Sequence, residues 1–366
     1  MEMAEAVAVG RRVLIVGYYG RGNPGDEALM EAAVRAVLGA GCVPVVATDD
    51  PSSVPPRVGT VPRTAFFGLW ALRAVSLCDA VLFGGGGIFQ DATSLRSLLF
   101  YANLALRAKA RRKSLFLLAQ GVGPLRRRIS RRLVKEVFEA ADMADVRDER
   151  SRDLLVEIGV SPSKVTVSAD LSFLLAGEGS GLRVERRKGI AVFPRPVKER
   201  EALMAVAEGV AKAAEDLGLP LRLVPFQRRM DERSVEEMAT LAPRAKRCLP
   251  PSDWRAAAGE VASSELAVCV RLHALAFAAM SGTPAVAIPY DPKVEALAEY
   301  LGVPCTTDLR RVSSSEVYQA VIGAWEKRRE LAERMISKCS MLRARAEEAV
   351  GRLKQSLMRG GDGGIE

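Results

Sequence analysis

His273 is the single histidine among 366 residues, and it stands in the run Val270-Arg-Leu-His-Ala-Leu275. The apolar stretch Leu266–Val270 precedes it and a helical pattern follows, so the imidazole falls at a strand-to-helix turn. There it can hand over a proton near neutral pH, although a lone histidine is more often structural than catalytic. Arg271 is its neighbour. Lys293 in Pro289-Tyr-Asp-Pro-Lys293 follows the next expected strand, and Arg195 in Phe193-Pro-Arg-Pro196 follows the strand Ile190–Phe193. Three cations and one proton donor in loops after strands of one sheet describe a site for a small, highly charged anion.

Four further segments follow strands in the same manner. Gly17-Tyr-Tyr-Gly-Arg-Gly-Asn-Pro-Gly-Asp-Glu-Ala-Leu29 opens a helix that Asn23 or Asp26 can cap, and no Gly-Lys-Ser/Thr follows as a P-loop requires. A tight strand–helix turn would explain it, yet Asn23, Asp26 and Glu27 also suit sugar hydroxyls, and a carboxylate can take a proton from one. Gly84–Gly87 is followed by Gln90 and Asp91, which could make polar contacts or simply cap a chain crossing. Gln120-Gly-Val-Gly-Pro124 repeats the pattern. Arg147, in Val146-Arg-Asp-Glu-Arg-Ser151, precedes a helix whose N-terminus favours an anion; alone it would read as a surface ion pair. Glycine-bearing loops after three strands of one sheet point to a binding surface, because glycine lets backbone approach a ligand closely.

These segments need elements to hold them. Apolar runs at Val13–Gly17, Val43–Ala47, Ala80–Phe83, Leu115–Ala119 and Val165–Val167 alternate with helical periodicity near 26–39, 64–77, 92–111, 127–141 and 149–158. A second series has strands near 190–193, 221–224, 266–270 and 285–288. Its helices lie near 198–217, 232–242, 253–263, 272–281 and 292–301. Apolar strands joined by helices predict an α/β chain of parallel, doubly wound sheets. The expected domains are 1–176 and 190–313, joined by a glycine- and charge-rich linker at 177–189. A long helix over 314–357 and a disordered glycine-rich tail at 358–366 complete the layout. Two such domains imply a cleft with ligands at the carboxyl ends of their strands.

Composition narrows the classes. Apolar residues make up 49% and charged residues 27%, which excludes a disordered or fibrous chain. The net charge of +9 is more than accounted for by residues 105–135, which hold eleven basic residues and no acid. That patch would suit anionic lipid or be a solvated helix face. With 5% aromatics and no helix-turn-helix or RNA-recognition pattern, nucleic acid is not the expected partner. Six scattered cysteines without a C-x-x-C pair argue against disulfides and zinc, and no metal is expected. No secretory layout opens the chain, and Leu272–Tyr290 reads as a helix, a turn and a strand rather than a membrane span. The expectation is a soluble, cytoplasmic protein.

Taken together, GYYGRGNPGDEAL, GGGGIFQD, QGVGPL, VRDERS, the RP of FPRP, RLHALAFA with SGTP, and YDPKV resemble the polysaccharide pyruvyl transferase family, most closely its bacterial CsaB type. The spacing of RLH and YDPKV is the specific part. The resemblance implies a GT-B-like fold, with two Rossmann-like domains facing a cleft: an acceptor-side N-terminal domain and a donor-side C-terminal one. It implies transfer of a pyruvyl group from phosphoenolpyruvate, a substrate and not a cofactor, onto a sugar as a 4,6-ketal. The acceptor would be N-acetylmannosamine in a lipid-linked secondary cell-wall polymer precursor, whose ketal anchors S-layer proteins. By the same resemblance Arg147, Arg195, Arg271, Leu272 and Lys293 bind the donor, and Arg147, Arg271 and His273 are catalytic. Asn23, Asp26, Glu27, Gln90 and Asp91 are acceptor contacts or the base, and no cofactor is needed. A lipid-linked acceptor would bring residues 105–135 to the anionic inner membrane face. A GT-B nucleotide-sugar glycosyltransferase or epimerase is the alternative, but it would leave the cations around His273 without a purpose.

Overall fold

The computed structural model describes residues 10–62, 74–177, 187–197, 200–227 and 230–359. They form two compact units. The first comprises residues up to Arg21, Asp26–Leu174 and the chain from Ala344; the second comprises Gly22–Gly25 and Leu175–Arg343.

The first unit is built on seven strands: β1 (Arg12–Val16), β2 (Val43–Thr48), β3 (Gly59–Pro62), β4 (Ala80–Phe89), β5 (Ser114–Val122), β6 (Met143–Val146) and β7 (Val165–Val167). They lie in the order β3-β2-β1-β4-β5-β6-β7, and every pairing is parallel. Val13–Val16, Ala80–Phe83 and Leu115–Ala119 are wholly buried, as expected of strands covered on both faces by helices. The order reverses between β1 and β4, which places the glycine-rich turn after β1 beside the glycines of β4 at the carboxyl edge.

The second unit repeats the plan with β8 (Ile190–Phe193), β9 (Leu221–Leu223), β10 (Lys246–Arg247), β11 (Leu266–Cys269) and β12 (Ala285–Ala287), ordered β10-β9-β8-β11-β12 and all parallel. The helix Leu272–Ser281 after β11 is buried from Leu272 to Ala279 and stops at Gly282, whose φ of 60° is the left-handed conformation of a helix C-terminus. That confirms the helix, turn and strand expected of Leu272–Tyr290. Among the described residues no helix is long and apolar enough to cross a membrane.

Three features differ from the expectation. Two of the three glycine segments are not loops: β4 runs through Gly84–Gly87 and β5 through Gln120 and Gly121. The pairing of β4 with β5 shifts register between Gly86 and Phe89 and that of β5 with β6 between Leu117 and Gln120, with Gly85 and Gly86 at φ of 81° and 90° and Ala119 at 51°. Next, β6, four residues long and interrupted by Asp145, is not among the expected strand ranges, and β3 and β10 have no counterpart there either. The latter two are short, largely exposed edges, Gly-Thr-Val-Pro and Lys-Arg, and so lack the apolar run that marks a buried strand. Finally, the single C-terminal helix is two, Ser314–Glu326 and Arg328–Arg359, parted at Lys327. The second passes from one unit to the other at Ala344 instead of forming a separate element. Most of the expected helix near 64–77 and of the linker, and the tail beyond Arg359, lie outside the described residues.

Candidate functional site

In the second unit four parallel strands end at one edge, and each is followed by a candidate side chain. Arg195 follows β8, Gln227 and Asp231 follow β9, Arg271 and His273 follow β11, and Tyr290 and Lys293 follow β12. The strand order reverses between β8 and β11, so Arg195 and Arg271 flank the position where such sheets hold ligands.

Arg271 is held hard. Its Nε donates to Asp231 Oδ2 at 2.8 Å, its Nη2 donates to Asp231 Oδ1, and Nη2 also reaches Gln227 Oε1 at 3.4 Å. Arg271 is also the N-terminal flanking residue of the helix Leu272–Ser281, and no side chain caps that helix end. Leu272 is its first residue, buried and apolar, so what it can offer a ligand is its main-chain N–H.

Arg195 differs. Its guanidinium lies 3.5 Å from the centre of the Tyr290 ring, and its buried Nε has no hydrogen-bond partner. Burial pushes its pKa below the usual arginine range, and the charge of Arg271 acts in the same direction. A desolvated guanidinium without a carboxylate across from it has the chemistry that suits an anion. Lys293 Nζ stands 5.6 Å from the same ring and 3.6 Å from Asp291. His273 is buried, 9% exposed. Gly25 belongs to this unit, and a Cβ on it would fall 1.9 Å from His273 Nδ1, so the glycine is what leaves room for the ring. The structure thus gathers Arg195, Arg271 and Lys293 around Tyr290 and Asp231, with His273 on the next turn.

In the first unit Arg147 donates from Nη1 to Asp170 Oδ2 at 3.0 Å and from Nε to Asp148 Oδ2 at 3.4 Å, with its side chain only 6% exposed. A Cβ on Gly121 would lie 2.7 Å from this guanidinium. The expected donor contact at Arg147 therefore meets a cation already neutralised and packed inside its own unit.

Other glycines also serve the protein itself. A Cβ on Gly17 would sit 2.3 Å from the buried Tyr19 ring, and one on Gly84 would sit 2.7 Å from Tyr19 Oη. Tyr19 donates to the Gly84 carbonyl at 2.8 Å, and Tyr101 donates to the Gly17 carbonyl at 3.2 Å. Gly20, Gly22 and Gly25 have the G-x-G-x-x-G spacing of a dinucleotide loop, yet Gly20 packs on Thr48–Asp50 and Gly25 on His273.

The acidic candidates divide. Asp91, expected as an acceptor contact, accepts the Arg126 and Arg127 amides at 2.8 and 2.9 Å, with no exposed side-chain surface. Burial alone would raise its pKa, but those two amide bonds and the Arg127 charge bring it below the usual value. Such a carboxylate anchors a loop. Gln90 bonds Thr93 through both ends of its amide. Glu27 is buried and accepts the Gly20 amide at 2.8 Å; burial, with the Asp26 charge, lifts its pKa from 4.5 to about 7. Asp26 is half-buried, 3.9 Å from where a Cβ of Gly86 would be, and Asn23 is half-buried too.

Within 105–135, Lys109 pairs with Asp142, Arg131 with Glu157 and Arg132 with Glu136, while Arg126, Arg127 and Arg128 are exposed beside Ile129, itself 49% exposed. All six cysteines are free thiols. Among the described residues no group of three or more His, Cys, Asp or Glu side chains is placed to hold a metal ion.

Sequence reading passed over Asp231, Gln227 and Tyr290 as site residues. Asp231 lies forty positions before Arg271 in a charged stretch that marks nothing. Tyr290 was visible, since it sits inside the Pro289–Lys293 segment.

Comparison with known proteins gives two kinds of likeness. AmsJ, an amylovoran biosynthesis protein of Erwinia amylovora, is 23% identical over 287 residues, covering 70% of this chain and 68% of AmsJ. HepE of Anabaena, solved with UDP-glucose, superposes with a TM-score of 0.60 at 15% identity, over 95% of this chain and 98% of HepE. A putative UDP-N-acetylglucosamine 2-epimerase of Listeria monocytogenes superposes with a TM-score of 0.67 at 12% identity, over 96% and 97%. The solved structures establish the fold, the two-unit GT-B-like architecture of such epimerases and glycosyltransferases. A family model described as polysaccharide pyruvyl transferase matches residues 23–292, which takes in every strand of the second unit with Arg195 and Arg271 and ends one residue before Lys293. The chain belongs to the polysaccharide pyruvyl transferase family, and it is a transferase.

Proposed function

We propose that this transferase moves the pyruvyl group of phosphoenolpyruvate onto a sugar of a lipid-linked cell-wall polymer precursor, N-acetylmannosamine or a relative, as a 4,6-ketal. The observation that carries the donor assignment is Arg195, a desolvated guanidinium stacked on Tyr290 with its Nε unpaired, one strand away from Arg271. Phosphoenolpyruvate presents a phosphate and a carboxylate, and Arg195, Arg271, Lys293 and the uncapped helix at Leu272 are suited to both groups.

In the proposed reaction protonated His273 gives a proton to the methylene carbon, and the π electrons of the enol form the new C–H bond. A sugar hydroxyl adds to the neighbouring carbon and loses its proton to a carboxylate, Asp26 or Glu27. The C–O bond to phosphate breaks, the cations stabilising the departing anion, and the second hydroxyl closes the ketal as its proton leaves with phosphate. No cofactor or metal enters this balance. Residues 105–135 would rest on anionic lipid beside the acceptor's carrier, Arg126, Arg127 and Arg128 leading.

The test is phosphate release from phosphoenolpyruvate with a panel of aminosugar acceptors, followed by mass analysis for the pyruvyl adduct. Phosphate release that depends on acceptor, with the adduct present, is expected. Thermal stabilisation by UDP-sugars and none by phosphoenolpyruvate would replace this reading with that of a nucleotide-sugar enzyme.

A further inference from the structure

We infer that Asp231, a residue that touches no ligand itself, is the positioning residue that aims Arg271 at the donor; the inference rests on reading Arg271 as a donor-binding cation. Asp231 is wholly buried. Its two oxygens grip Arg271 along the edge formed by Nε and Nη2, and Gln227 adds a third contact on Nη2. Nη1 makes no hydrogen bond among the described residues, so the guanidinium is left with one edge fixed and the other to offer. A planar fork held along one side has no remaining freedom to turn, which is the geometry that two-point recognition of phosphate or carboxylate needs.

Asp231 is itself fixed. Its Oδ2 accepts the Phe226 amide at 3.0 Å and the Gln227 amide at 2.7 Å, both from the turn after β9. A carboxylate with this many donors and no exposed surface has no capacity left for substrate, which separates positioning from catalysis. It has a second effect. Arg195 and Arg271 are close enough for each to feel the other's charge, and Asp231, with Asp291, offsets part of that repulsion. Arg271 is thus paired and rigid, while Arg195 stays desolvated with no carboxylate bonded to it. The donor meets one oriented fork and one unsatisfied charge.

The experiment compares wild-type protein with Asp231→Asn, Arg271→Lys and the double variant. Asparagine keeps the size and can still accept the Phe226 and Gln227 amides, but it loses the charge and half of the fork. The expected result for Asp231→Asn is a KM for phosphoenolpyruvate raised about tenfold or more with kcat changed much less. The double variant should be no worse than Arg271→Lys alone, because lysine cannot use the fork. Independent, multiplying losses would mean that Asp231 only supports the fold, and would overturn the inference. If Asp231→Asn does not fold, Asp231→Glu, which keeps the charge and displaces the carboxylate by one methylene, takes its place; an unchanged KM there overturns the inference equally.

A second readout needs no phosphoenolpyruvate. Modification of Arg271 by phenylglyoxal, followed by peptide mass analysis, should be slow in wild type and faster in the variant. Wild type that neither binds nor turns over phosphoenolpyruvate while Arg271 still reacts faster in Asp231→Asn would remove the donor assignment and leave the positioning intact. Equal modification rates would remove the positioning.

Discussion

At the scale of single residues, chemistry and support divide sharply. His273 carries the imidazole on which the proposed protonation step depends. His273→Ala should lower kcat by roughly two to four orders of magnitude while leaving the affinity for phosphoenolpyruvate within a few-fold, as read by turnover and calorimetry. Unchanged turnover would end the proposed protonation step. Glu27 gives a pH signature. Its pKa is raised in the folded state, to about 7 from 4.5. Below pH 4.5 both folded and unfolded chains keep the proton and the residue costs nothing. Between 4.5 and about 7 the unfolded chain ionises first, so stability falls as pH rises, and above 7 the full cost, at most about 3 kcal/mol, persists. Glu27→Gln should therefore gain in melting temperature over wild type as pH goes from 5 to 8. Parallel curves would show that the buried carboxyl is not titrating there.

Secondary-structure elements explain the glycines. Four consecutive glycines at a strand end suggest a surface open to ligand, but β4 continues through them, and Gly84 makes space for Tyr19, whose hydroxyl bonds the Gly84 carbonyl. Gly84→Ala places a methyl 2.8 Å from Ala33 Cβ and closer still to the tyrosine oxygen. Overpacking of this kind costs about 1–3 kcal/mol, so the urea midpoint should fall. A normal midpoint with a raised KM would restore the ligand explanation. The helices were legible almost to the residue, since apolar period and cap agree: Asp148 accepts the Ser151 amide and Asp253 the Ala256 amide at the starts where helices were expected. The edge strands β3 and β10 were not, because an edge has no buried face to write a pattern.

At the scale of the whole chain, Gly22–Gly25 belongs to the second doubly wound unit although the chain on either side belongs to the first, and two longer connections follow, the first near Leu174 and the second within the helix Arg328–Arg359. In the second connection Arg352 donates to the buried Asp145, which also accepts the Ala119 amide, so this helix is bonded to the strand system of the first unit. The basic stretch makes a prediction at this scale. If Arg126, Arg127 and Arg128 meet anionic lipid, changing all three to glutamine should weaken binding to vesicles containing phosphatidylglycerol by about a hundredfold, on about 1 kcal/mol per residue. Binding should also fall as salt rises. Equal binding to neutral vesicles, or none in low salt, would return these arginines to the role of a solvated face.

The sequence by itself determined the two parallel sheets and that Arg195, Arg271 and Lys293 follow strands of the second. Strand and helix periods are local, and in a parallel sheet every residue after a strand reaches the same edge. What tertiary structure decided is which charges are free to act. Arg147, Arg195 and Arg271 look alike as letters. One is neutralised by Asp170, one is gripped by Asp231, and one is stacked on Tyr290 without a carboxylate. Ion pairing joins residues dozens of positions apart, and no local pattern records which acid a guanidinium will find.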